Sequence, residues 1–93
     1  MEVSVNPKAP VPVVVVFDGR VVELFFSEAD TGSIGFHIIH LTAVQFAPDK
    51  KGRQMLDIKT KSGRPFAMEV APAEAAGVQS LVAALKQAMA GQL

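Results

Sequence analysis

The chain predicts an α+β fold, an antiparallel β-meander forming a barrel or sandwich that one C-terminal amphipathic helix closes. Three observations carry that expectation. Residues 11–70 read as a succession of β-rich runs separated by Asp-Gly, Asp-Lys-Lys-Gly and Lys-Ser-Gly-Arg turn signals. Apolar residues then change to helical spacing, with Val78, Leu81, Val82, Leu85 and Met89 at i, i+3, i+4, i+7 and i+11. Finally, 93 residues that are 49% hydrophobic can close one core and leave no room for a second.

Taken in chain order, residues 1–10 carry prolines at 7 and 10, with a third at 12, and read as an N-terminal arm ahead of a domain spanning 11–93. Met1 to Val5 alternates weakly, which leaves two readings, a partly mobile terminus or a strand added to a sheet edge. Val-Pro-Val-Val-Val-Val-Phe and Arg-Val-Val-Glu-Leu-Phe-Phe flank Asp18-Gly19, the signature of a hairpin with a type I′ turn. A two-residue Asp-Gly turn pairs Phe17 with Arg20. It sends Val11, Val13, Val15, Val22, Leu24 and Phe26 to one face and Val14, Val16, Val21 and Phe25, around Glu23, to the other. Both faces are then largely apolar, and a hairpin with one side in water needs only one such face.

Residues 27–33 form a polar loop, and Ile34 to Phe46 reads as strand with a bend near His40-Leu41. Ile34, Phe36, Ile38, Thr42, Val44 and Phe46 share a face. Gln54 to Thr60 follows with Leu56 and Ile58 inward and Asp57 and Lys59 outward, and Pro65 to Val70 with Phe66, Met68 and Val70 inward. Pro72 suits the first turn of a helix that runs to about residue 90, Glu74 complements its dipole, and Gly91 stands past its end. Gly77 inside it costs about 1 kcal/mol against Ala, which is tolerable where another segment approaches closely.

Chemistry-bearing patterns are sparse. There is no Cys, which removes disulfides, thiolate metal sites and cysteine nucleophiles together. His37 and His40, the two histidines, lie three apart in extended chain and point to opposite faces unless the chain bends, so no metal pair is expected. Asp18 is accounted for by its turn and Glu23 by a cross-strand position, and no serine sits in a nucleophile elbow. The chain therefore reads as a non-enzymatic protein without a cofactor. No segment reads as a signal peptide, and none reaches the roughly 18 apolar residues of a membrane-spanning helix.

Nine basic and nine acidic residues cancel overall, yet they are unevenly placed: residues 1–49 sum to −4 and residues 50–64 to +5. Lys50, Lys51, Arg53, Lys61 and Arg64 supply the positive segment and are the candidate contacts for an anionic partner. They fall in two turns at opposite ends of one strand, about 20 Å apart, so they do not make a single pocket. Six phenylalanines with no Tyr or Trp offer no stacking platform, and nucleic acid is not expected as a partner.

From Gly32 to Leu85, the order of hairpins and closing helix resembles the pleckstrin-homology-like fold, in particular its small bacterial domains. The residues that carry the resemblance are Phe36-His37-Ile38-Ile39-His40-Leu41-Thr42-Ala43-Val44-Gln45-Phe46 as strand, bend and strand, the turns at Gly52 and Gly63, Leu56-Asp57-Ile58-Lys59-Thr60, Phe66, and Pro72-Ala73-Glu74-Ala75-Ala76 opening the helix. The resemblance implies seven strands, of which six are read from the sequence unless Val3 to Val5 supplies the seventh, and a binding or assembly role in a bacterial cytoplasm. The basic phosphoinositide-binding pattern of that fold is not present at the first hairpin turn, where Asp18 and Gly19 stand with Arg20 alone. The expected function is that of a module self-associating into a homo-oligomer through Val14, Val16, Val21 and Phe25. The alternative is recognition of a peptide or of anionic lipid head groups through the basic turns, with weak membrane contact.

Overall fold

A computed structural model describes residues 1–8, 12–26, 33–61, 63 and 65–91. Seven strands and one helix follow in order: β1 (Glu2–Ser4), β2 (Val13–Phe17), β3 (Val21–Phe26), β4 (Ser33–His37), β5 (Leu41–Pro48), β6 (Gln54–Thr60), β7 (Phe66–Glu69) and α1 (Ala75–Ala90). They make two antiparallel sheets, β1-β2-β3-β4 and β5-β6-β7, each a simple meander. Among the described residues the strands do not close into one barrel. Val11, most of the polar loop at 27–33, and Arg64 lie outside the described residues.

The first hairpin forms where Asp-Gly predicts it, in a different register. Phe17 pairs with Val22, Val15 with Leu24 and Val13 with Phe26, so Arg20 is not the partner of Phe17. The two central turn residues are Gly19 and Arg20, because the Asp18 N–H donates to the Val21 carbonyl at 3.3 Å. Gly19 takes φ +103° and Arg20 keeps a negative φ, the pattern of a II′ turn and not of I′. The cause is Asp18 itself. Its Oδ1 accepts from the N–H groups of Arg20 and Val21, both at 2.9 Å, and so draws it out of the turn centre to hold the turn from one side. The register slips by two residues, and a slip of two preserves every side chain's face. Val13, Val15, Phe17, Val22 and Leu24 are accordingly buried, with Phe17 added to the expected core set.

The stretch read as an arm supplies an edge strand: Glu2, Val3 and Ser4 pair with Val16, Val15 and Val14. Val3 and Val5 join the core, and the Val5 carbonyl accepts from the Ala71 N–H at 3.0 Å, linking the start of the chain to the end of β7. Between β4 and β5 the bend is a 3-10 turn, Ile38–His40, that passes the chain from one sheet to the other. It is tied at both ends, by Ile38 N–H to the Arg20 carbonyl and by Lys61 N–H to the His40 carbonyl, each at 2.8 Å. Just after it the β5–β6 register shifts between Leu41 and Ala43. Thr42 is the extra residue. This bulge turns Leu41 into the core and leaves Thr42 exposed, against the expectation that Thr42 shares the inner face with Val44 and Phe46.

Ala71 to Glu74 enters the helix through a short 3-10 turn with Pro72 in its first turn, after which α1 buries Val78, Leu81, Val82 and Leu85. With Val44, Leu56 and Ile58 from the second sheet, Val3, Val15 and Leu24 from the first, and Val5 just after β1, they make one continuous core. Phe36 of β4 and Phe66 of β7 add a tilted ring contact with centroids 5.4 Å apart. Gly77 sits where β1 comes closest: a Cβ there would lie 3.4 Å from Val3 Cγ1. Replacing fully buried Leu85 by Ala should cost about 2–5 kcal/mol in urea unfolding. A cost within about 0.5 kcal/mol, as at a surface position, would contradict this placement of the helix.

Candidate functional site

The outer face of the first sheet brings together the four residues expected to form an interface. Val14 and Val16 from β2 stand beside Val21 and Phe25 from β3, with Phe25 directly opposite Val14 and Glu23 opposite Val16. The valines are half-buried by one another, and Phe25 is 41% exposed. The helix meets β1 through Val3, on the core side, and β1 pairs edgewise with β2, placing only Glu2 and Ser4 beside the valines. On the other flank, β4 sets Gly35 against Glu23 and His37 against Val21. Without a side chain at Gly35 the face is notched there, walled by Glu23 Cγ and Val21 Cγ1 at 3.7 and 3.8 Å from where a Cβ would stand.

The basic turns are separate and differently occupied. At the β5–β6 turn, Asp49 Oδ1 accepts from the N–H groups of Lys51 and Arg53, both at 2.9 Å, while Gly52 takes φ +81° to close the loop. The Arg53 guanidinium folds back onto Asp49 Oδ2 at 2.8 Å and reaches Glu69 at 4.0 Å. Partial desolvation would raise the Asp49 pKa, but the Arg53 N–H and guanidinium and the Lys51 N–H outweigh it and hold the carboxyl below its usual range. Arg53 is therefore engaged in holding its own turn. Lys50 and Lys51 are exposed beside it, whereas Lys61 stands at the far end of β6, about 20 Å away at 3.3 Å per residue. Of the five basic residues, Lys50, Lys51, Arg53 and Lys61 are not brought together, and Arg64 lies outside the described residues.

His37 and His40 are separated by the 3-10 turn. The His37 Nδ1 accepts from the Ile39 N–H at 3.2 Å and caps the turn, and His40 is exposed. Among the described residues no three His, Asp or Glu side chains group as a metal site would require, and no helix is long and apolar enough to cross a membrane. One feature was missed from sequence: a cleft of about 600 Å³ between the 3-10 turn, the start of β5, Lys61 and the last turn of α1. The available signal was the doublet Ile38-Ile39 at a bend, since two adjacent aliphatic residues cannot both face one core in extended chain.

No known protein family, curated protein or solved structure matches the chain. Its surfaces must be read from their own chemistry.

The apolar outer face depends on the Asp18 turn that sets its register. The N–H groups of Val21 and Arg20, which donate to Asp18, hold its pKa below the usual 3.8. A carboxylate whose pKa is lower folded than unfolded stabilises the fold above its unfolded value, and that contribution is lost as the pH falls through the folded one. Asp18→Ala should therefore destabilise the protein at neutral pH, and the difference should shrink in acid below 3.8. Urea midpoints of both proteins across that range provide the measurement, and a gap of constant size would contradict the role of the charge.

Proposed function

We propose that the chain is a non-catalytic assembly module of the pleckstrin-homology-like type, acting in a bacterial cytoplasm and self-associating through the outer face of its first sheet. The observation that carries the reading is the apolar cluster of half-buried Val14, Val16 and Val21 around exposed Phe25 on the outer face of the first sheet. Clusters of this kind on small proteins mark surfaces that are used. A two-fold arrangement buries the cluster against its own copy and leaves Glu23 near the axis. The succession of four strands, three strands and a closing helix supports the family part of the reading, as does the strand at Glu2–Ser4 that completes seven.

The measurement is solution mass by light scattering over a range of concentrations. The native chain should be an oligomer, and Phe25→Glu combined with Val21→Lys should reduce it to a monomer with an unchanged far-UV circular dichroism spectrum. A native monomer at every concentration, or a folded double variant of unaltered mass, would place assembly elsewhere. The alternative, weak attraction to anionic lipid through Lys50, Lys51 and Lys61, gives pelleting with anionic vesicles. It should fade as salt is raised through the physiological range, because each exposed lysine contributes only about 1 kcal/mol there.

A further inference from the structure

We infer that the cleft at the C-terminal end of α1 is a binding site for a single aliphatic chain bearing an anionic head group. The cleft encloses about 600 Å³, within the range of roughly 300–1,000 Å³ typical of small-molecule sites. Five of its seven lining residues are aliphatic: Ile38, Ile39, Leu41, Met89 and Ala90. The other two are Thr42 and Lys61.

That lining selects the class of ligand. No carboxylate and no aromatic ring lines the cleft, and one hydroxyl and one ammonium are its polar side chains. A nucleotide or a polar peptide segment would bury more donors and acceptors than these two can satisfy. An alkyl chain brings none. Lys61 has no ion pair among the described residues, so it offers its charge to a carboxylate or phosphate. The negative pole of α1 lies at Ala90, which disfavours an anion there. The head group therefore belongs at Lys61, with the tail running toward Met89 and Ala90.

The walls are held ready for such a ligand. Ile39 is 44% exposed and cannot turn inward, because its neighbour Ile38 is anchored in the core and the 3-10 turn is fixed by the Arg20 and His40 carbonyl bonds and the His37 cap. The bulge between Leu41 and Ala43 places Thr42 outside the core, on the wall of the cleft. Met89, unbranched and half-buried, supplies an adaptable wall at the other side.

The experiment is calorimetric titration of the full chain with octanoate, decanoate, dodecanoate and decanol, each below its micellar concentration. Affinity should rise about fourfold for each added methylene, as burial of a CH₂ implies, and decanoate should bind more tightly than decanol. Ile39→Asp should abolish binding, and Lys61→Gln should lower decanoate to the level of decanol. Both positions are exposed, so circular dichroism should report an intact fold for each. Affinity independent of chain length, or undiminished in Ile39→Asp, would overturn the site. Equal decanoate affinity in Lys61→Gln would overturn the head-group assignment. Pelleting with anionic vesicles that requires Ile39, without binding of free decanoate, would overturn the proposal in favour of a bilayer surface.

Discussion

The fold depends on one stripe of four side chains. Val78, Leu81, Val82 and Leu85 stand on a single helix face, and that helix rests on β1 and β5, which belong to different sheets. Each fully buried side chain of this size contributes about 1.5–3 kcal/mol, and domains of this class are stable by only about 5–15 kcal/mol in total. Seating the helix is therefore comparable to the whole net stability. At the crossing with β1, Val3 packs close to the helix, its Cγ1 lying 3.4 Å from where a Cβ on Gly77 would stand. A three-residue edge strand at the start of the chain thus becomes part of the core instead of a loose terminus.

The two sheets differ in how they treat their outer faces. In the second, Gln45, Lys59 and Glu69 stand exposed on the side away from the core, which suits water. In the first, the same side carries Val14, Val16, Val21 and Phe25. The cleft beside Ile39 has a different origin. It arises at the passage between sheets, where the 3-10 turn sinks Ile38 and cannot also sink its neighbour.

Much of this was legible because it rests on local periodicity. Alternation located the strands after the N-terminal segment, glycines that adopt positive φ at 19, 52 and 63 located the turns, and the helical spacing from Val78 to Leu85 located the buried stripe. Even the misjudged hairpin register left every face correct, because pairing Phe17 with Val22 instead of Arg20 is a shift of two and strand side chains repeat every two residues. The side of the sheet that carries Val14, Val16, Val21 and Phe25 was legible for the same reason, since it follows from parity alone.

What only the tertiary structure decided depends on where separate segments meet. Val3 and Val5 are core residues because β2 and the helix lie beside them, which no pattern in six residues could announce. Thr42 is exposed and Leu41 buried because a bulge absorbs one residue where β5 leaves the 3-10 turn, and a bulge breaks the parity on which sequence reading relies. Arg53 is occupied with Asp49 and Glu69, whereas Lys61 stands at an aliphatic cleft, although both read alike as charges in a basic segment. Local spacing encodes which way a side chain points. Its neighbours across the chain are set by packing.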